Sequence, residues 1–129
     1  MRGTTSGGAD DSGGLPRLTI LGGRHQLTVG GLTLAHDSFT IRYTITPPLP
    51  ADADAPMILL VFEAEDDLGR EYVDWGGAYG PGVDGTFTDG SVTGQPAVPS
   101  GVHTLRARIT FLRGGEEFPY EFTLPVPLR

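Results

Sequence analysis

The residues best equipped for chemistry in this 129-residue chain are three histidines, His25, His36 and His103, and sixteen carboxylates, so their spacing decides whether they can act together. No two histidines stand at a separation that metal sites use, and Asp37 adjoins only His36. His36-Asp37-Ser38 holds the residue types of a hydrolase triad. Consecutive residues of a strand point to opposite faces, however, and cannot form the mutual hydrogen bonds that nucleophile, base and orienting group require. Acidic groups at Asp52 and Asp54, from Glu63 to Asp67, and at Asp84 and Asp89 could offer oxygens to calcium, but none follows the Asp-x-Asp-x-Asp-Gly loop with its distant Glu. Gly76-Gly77 and Gly80-Pro81-Gly82 lack the lysine of a phosphate loop and read as turns. Cysteine is absent, which removes thiolate nucleophiles, thiolate ligands and disulfides together. The expectation is a protein without catalytic residues, metal or cofactor.

One constellation points to a ligand. Tyr72, Trp75 and Tyr79 lie close in sequence with Asp74 among them and Asp84 beyond. Flat rings beside carboxylates are how β-sheet lectin-like modules hold sugars, so Tyr72, Asp74, Trp75 and Tyr79 form a candidate ligand-binding set. The competing expectation is that Trp75 plugs an end of the fold with its indole N–H satisfied locally.

Composition narrows the partners. Sixteen acidic against nine basic residues give a net charge of -7, which opposes phosphate backbones and anionic lipid by Coulomb repulsion. Nucleic acid and membrane are therefore not expected as partners. The basic residues are all arginine, and lysine and asparagine do not occur, a bias that suits a GC-rich bacterial genome. Met1 to Gly14 is small, polar and acidic with no apolar run, and no stretch approaches the roughly 20 apolar residues of a membrane span. That segment reads as a flexible N-terminal arm, residues 1–14, ahead of one domain spanning 15–129, and the default location is the cytoplasm.

The elements that must position these residues are strands. Twenty glycines and eleven prolines imply many turns. Arg17 to Leu21, His25 to Val29 and Leu32 to Ala35 read as short pieces broken by Gly-Gly pairs. Ser38 to Thr46 alternates cleanly, with Phe39, Ile41, Tyr43 and Ile45 on one face. Pro47 to Pro56 is a proline-rich crossing. Met57 to Glu65 opens with six apolar residues and reads as a central strand covered on both faces. Asp66 to Gly69 suits a type I turn with a left-handed glycine, giving a hairpin onto Arg70 to Trp75 with Glu65 near Arg70. Gly76 to Gly85 reads as a loop, Thr86 to Val92 as a strand and Gln95 to Gly101 as a second crossing.

The last hairpin makes the sharpest statement. A Gly114-Gly115 turn of type I′ sets Phe111 opposite Phe118, Ile109 opposite Tyr120, Ala107 opposite Phe122 and Leu105 opposite Leu124, with Arg108 meeting Glu121 on the other face. A slip of one residue would send the whole apolar set to solvent.

Seven to nine short strands, two proline-rich crossings and the Pro99-Ser100-Gly101 segment leading into the penultimate long strand resemble the immunoglobulin-like or fibronectin-like modules common in bacterial proteins, over about Leu15 to Arg129. The cysteine pair of antibody domains is missing. The resemblance implies an all-β, two-layer antiparallel sandwich, with a partly open barrel as the other arrangement of the same strands. It implies an interaction or structural module that binds a protein partner or a second copy of itself, such as a component of a larger assembly. The alternative is a carbohydrate-binding module using the aromatic set above.

Overall fold

Alternation of apolar and polar residues builds a curved sheet whose concave face is the core. The computed structural model describes residues 15–50 and 58–127; the expected arm, the second half of the first proline-rich crossing, Met57 and the last two residues lie outside the described residues. Eight strands follow in order: β1 (Arg17–Ile20), β2 (His25–Leu34), β3 (Phe39–Thr46), β4 (Ile58–Asp66), β5 (Glu71–Pro81), β6 (Thr88–Gln95), β7 (Thr104–Arg113) and β8 (Glu116–Pro125). Every pairing is antiparallel, and the strands form one sheet in the order β1-β2-β3-β6-β5-β4-β7-β8. Among the described residues no helix is long and apolar enough to cross a membrane.

The expected two separate layers are not found. The sheet is continuous and curls into a nearly closed barrel, because β5 pairs with both β4 and β6 and so joins what would be two layers. At the seam the amide of Leu21, just after β1, donates to the Tyr120 hydroxyl of β8 at 2.6 Å. The free edge of β8 carries Pro119 and Pro125, which lack an N–H and blunt it against further pairing. Leu49 and Val98, from the two crossings, are buried with the core. Leu49 is tied down through its amide, which donates to the Thr88 hydroxyl at 2.8 Å.

The final hairpin has the register its two faces demand: Phe111 meets Phe118, Ile109 meets Tyr120, Ala107 meets Phe122, Leu105 meets Leu124 and Arg108 meets Glu121. Gly114 and Gly115 both have positive φ, as a type I′ turn requires. Elsewhere the boundaries differ from expectation. The two pieces after Gly23 are one strand, β2, bulged between Val29 and Gly31. The glycine-rich stretch after Trp75 is not a loop: β5 runs through it to Pro81, with a bulge between Asp74 and Gly77. Strand β6 starts two residues later than expected and reaches Gln95, and Glu65 pairs with Glu71 rather than Arg70.

Strand β6 shows why large rings can fill so narrow a barrel. Its inward positions include Gly90 and Gly94, paired with Tyr43 and Phe39 of β3. A Cβ at Gly94 would run into the Phe39 ring, and one at Gly90 into the phenol of Tyr43. The rings occupy the volume that glycine leaves, and Phe39 then meets Phe62 of β4 and Tyr72 of β5 edge-on, with centroids 6.0 and 5.3 Å apart. Replacing Gly94 with Ala is therefore expected to cost about 1–3 kcal/mol by overpacking. Urea unfolding should show the loss, and Phe39→Leu in the same chain should return part of it. A Gly94→Ala protein as stable as the parent would contradict this packing.

Candidate functional site

The β4–β5 hairpin is held by one carboxylate. Asp66, almost fully buried, accepts from the amides of Leu68 and Arg70 (2.8 and 3.0 Å) and from the Tyr72 hydroxyl (2.7 Å), and its own amide donates to the Arg70 carbonyl. Burial pushes the Asp66 carboxyl up, but the hydrogen bonds from Tyr72, Arg70 and Leu68, with the Arg70 charge, outweigh it and hold the group below the usual carboxylate range. Asp67 beside it receives the amides of His103 and Thr104 and so fastens the turn to the start of β7.

Beyond this turn the hairpin comes apart. The β4–β5 ladder covers only Glu65–Glu71, Ala64–Tyr72 and Glu63–Val73. On its other edge β5 pairs with β6 at Val73 and Asp74 and, past a bulge, from Gly77 to Pro81, while β4 stays with β7 as far as Ile58. Two side chains of β5 bracket the gap. Asp74 accepts from the Phe62 amide at 3.1 Å and from the Gly76 amide at 2.8 Å, and the Tyr79 hydroxyl donates to the Ile58 carbonyl. Between them lies a cleft of about 380 Å³, with Leu59 and Leu60 on one wall, Asp74 and Gly77 on the other, and Tyr43 and Val92 towards the core.

The outer face around the cleft is divided. At the turn end it is ionic: Arg106 meets Glu65 at 2.6 Å, and Arg108 lies between Glu63 and Glu121 at 3.3 and 2.9 Å. These pairs are exposed and fix alignment more than stability. At the cleft end it is apolar. Leu59 and Val61 of β4 are 53% and 45% exposed, against the expectation that both faces of this strand are covered. On β5, Val73 and Trp75 are 63% and 55% exposed, so Trp75 does not plug the fold. Alternation from the buried Tyr72 places Val73 and Trp75 together on the outer face, and the bulge follows directly after them.

The four candidate ligand residues are thus neighbours with different duties. Tyr72 is buried and spends its hydroxyl on Asp66, Asp74 spends its carboxylate on backbone amides, and Tyr79 is half-buried against the core with its hydroxyl on Ile58. Trp75 alone presents an open ring. His25 donates from Nδ1 to the Pro47 carbonyl at 2.7 Å, the His103 amide and ring lie against Asp67, and Ser38 donates to Asp37 at 3.1 Å. Asp84 serves the amide and hydroxyl of Thr86. Sequence reasoning passed over Leu59, Val61 and Tyr43 as core; the one available signal was the second apolar face of Met57 to Phe62, which by sequence a partner, another copy or the Gly-rich N-terminal segment could equally cover.

No protein-family model matches the chain, and no curated protein does. Among solved structures the chain is similar to a DUF4426 family protein from Pseudomonas aeruginosa PAO1, with a TM-score of 0.51 and 11% identity over 81% of this chain and 91% of that one. At that identity the likeness concerns the fold: an all-β, barrel-like sheet.

Asp66→Asn removes the charge that three donors converge on, and is expected to cost about 1–3 kcal/mol. Because the folded-state pKa of Asp66 lies below its unfolded value of 3.8, its contribution is complete above that value and is lost as pH falls through the lower, folded-state pKa. The stability gap between parent and Asp66→Asn, from urea curves at several pH values, should narrow in acid and stay constant from pH 5 to 7. A gap that widens in acid would contradict the assignment.

Proposed function

We propose that this chain is a non-catalytic binding module of immunoglobulin-like ancestry that holds a protein partner at the cleft where β4 and β5 part. The observation that carries the reading is the hairpin that stops pairing after three residue pairs, while β4 continues with Leu59 and Val61 turned to solvent. A cluster of exposed apolar side chains beside an unpaired strand edge is costly to keep in water, and such surfaces mark places where another chain docks. The strand order supports the immunoglobulin-like part: β2-β3-β6-β5 and β4-β7-β8 follow the sequence in which such sandwiches set A-B-E-D and C-F-G. On this reading the barrel is a sandwich whose layers remain joined through the three pairs of the β4–β5 ladder. The non-catalytic part is supported by the carboxylates held below their usual range, Asp66, Asp67 and Asp84, each of which is occupied in fastening a turn. The carbohydrate-binding alternative keeps one open ring, Trp75, beside a carboxylate already engaged by amides.

The test is capture from an extract of the native cells by the immobilised chain, with the retained protein identified by mass spectrometry and the complex re-formed from the purified pair. Parent and Val83→Asp, a change at an exposed turn residue away from the cleft, should retain it, and the double change Leu59→Asp with Val61→Asp should lose it. Equal retention by the double variant would sink the proposal. Retention of immobilised glycans that disappears with Trp75→Ala would favour the sugar-binding alternative instead.

A further inference from the structure

The cleft holds polar groups that the rest of the barrel does not meet. Along β4 the main-chain groups of alternate residues face alternate neighbours, and Phe62 and Ile58 turn theirs towards β5. There the Phe62 amide donates to Asp74 and the Ile58 carbonyl accepts from Tyr79. Leu60 stands midway between them, so its N–H and C=O face the cleft as well, and the β4–β5 ladder, which ends at Glu63–Val73, leaves both without a strand partner. The two flanking contacts close the strand edge on either side of Leu60. A whole strand cannot lie along such an edge; a single side chain can reach it.

A second group lies on the inner side. Tyr43 is only 2% exposed and lines the cleft, yet its hydroxyl has no hydrogen-bond partner among the described residues. Its phenol rests over Gly90, the residue that pairs with Tyr79, which sets it towards the Ile58 end of the gap. No fully enclosed side-chain oxygen among the described residues lacks a partner, so this hydroxyl is open to the cleft. Burial, then Tyr79 and Asp89, push the phenol far above its ordinary pKa, and it remains a neutral donor at any physiological pH. A buried donor with one opening gains most from an acceptor brought in through it.

Charge selects what can enter. Asp74 is the one charged side chain lining the cleft among the described residues, and each of its oxygens already accepts an amide. An anion would lie beside that carboxylate in a chain of net charge -7, and a cation would find it engaged. Leu60 offers one donor and one acceptor, and Tyr43 a further donor. An uncharged carboxamide answers all three, with N–H donors and a carbonyl oxygen that has two lone pairs. Outside, Leu59, Val61 and Trp75 flank the opening with exposed apolar surface. A partner covering that margin while one side chain enters would shield the inner hydrogen bonds from water, the arrangement in which anchor residues count most.

We propose that the partner anchors itself by one glutamine or asparagine side chain, inserted between Asp74 and Tyr79 so that its carboxamide meets the main-chain groups of Leu60 and its oxygen accepts from Tyr43. This rests on the binding-module reading and names the group that the partner presents.

Propionamide, the free counterpart of a glutamine side chain, probes the site on the intact chain against propionate and propylammonium, which keep the size and change the charge. Propionamide should shift the NMR resonance of the Leu60 amide saturably and slow its hydrogen exchange; the two ions should do neither. Tyr43→Phe, which keeps the ring, should bind propionamide about twofold to tenfold more weakly, the worth of one hydrogen bond, and should retain less of the protein captured from extract. Its urea curve, matched to the parent, separates this from misfolding. A Leu60 amide indifferent to propionamide, or an equal response to all three probes, overturns the carboxamide anchor. Should the capture that depends on Leu59 and Val61 hold in that case, the binding-module reading stands with another anchor; should it fail too, both fall. Propionamide binding with no protein captured would assign the cleft to free carboxamides and overturn a partner's side chain as their source.

Discussion

The fold depends on one seam, the pairing of β3 with β6. It joins the first half of the chain to the second, and its strength lies in complementary volumes: Phe39 and Tyr43 project inward from β3 over Gly94 and Gly90 of β6. A ring over a glycine lets two strands keep normal spacing while a large side chain lies across the neighbour instead of against another side chain. Phe39, fully buried, then touches Phe62 and Tyr72, so one side chain links β3, β4 and β5 across the interior. At Val73 β5 pairs with β4 on one edge and β6 on the other; its far half keeps to β6, and the hairpin with β4 opens where the bulge between Asp74 and Gly77 falls.

How much of this could be read from the residues differs strand by strand, for physical reasons. Strand β3 and the β7–β8 hairpin were legible because both of their faces carry information: apolar residues inward, threonine, arginine and glutamate outward, and a Gly-Gly turn that admits one register. Strand β6 was misplaced because TDGSVTGQ puts glycine where alternation predicts apolar bulk, and the missing volume is supplied by β3, fifty residues away in sequence. Strand β5 was cut short at Trp75 because Gly76-Gly77 looks like a turn. The structure uses those glycines for a bulge, where Gly76 takes φ 114° and a Cβ at Gly77 would meet the Ser91 carbonyl. The division into two layers failed because β5 pairs with β4 along one edge and with β6 along the other.

The candidate site was half visible. The residues between Tyr72 and Tyr79 do belong to it, but the pattern that drew attention, aromatic rings near carboxylates, described sequence neighbours that strand alternation and the bulge send to different surroundings. What makes the place distinctive is an interruption of pairing, and an interruption has no residue signature. Tyr43 illustrates the difficulty. Its position in an alternating strand marks it as core, which it is, and only the three-dimensional course of β5 leaves its hydroxyl open to the cleft.

An opened hairpin can be a frayed one or a built one, and the bracketing contacts decide between them. Fraying would leave both strand ends loose, whereas here each margin of the gap is tied across. Asp74 holds the Phe62 amide at one end, and Tyr79 holds the Ile58 carbonyl at the other. Both strands also keep full ladders on their far sides, β4 with β7 and β5 with β6, so neither can swing in to close the cleft without giving up pairs already made. The separation is therefore a fixed property of the barrel, and a partner docking at its mouth would meet a wall already shaped, with little ordering entropy left to lose on the receiving side. The twist that curls the sheet works in the same direction, because strands rotated against their neighbours diverge with distance from the point where they are joined, here the Asp66 turn.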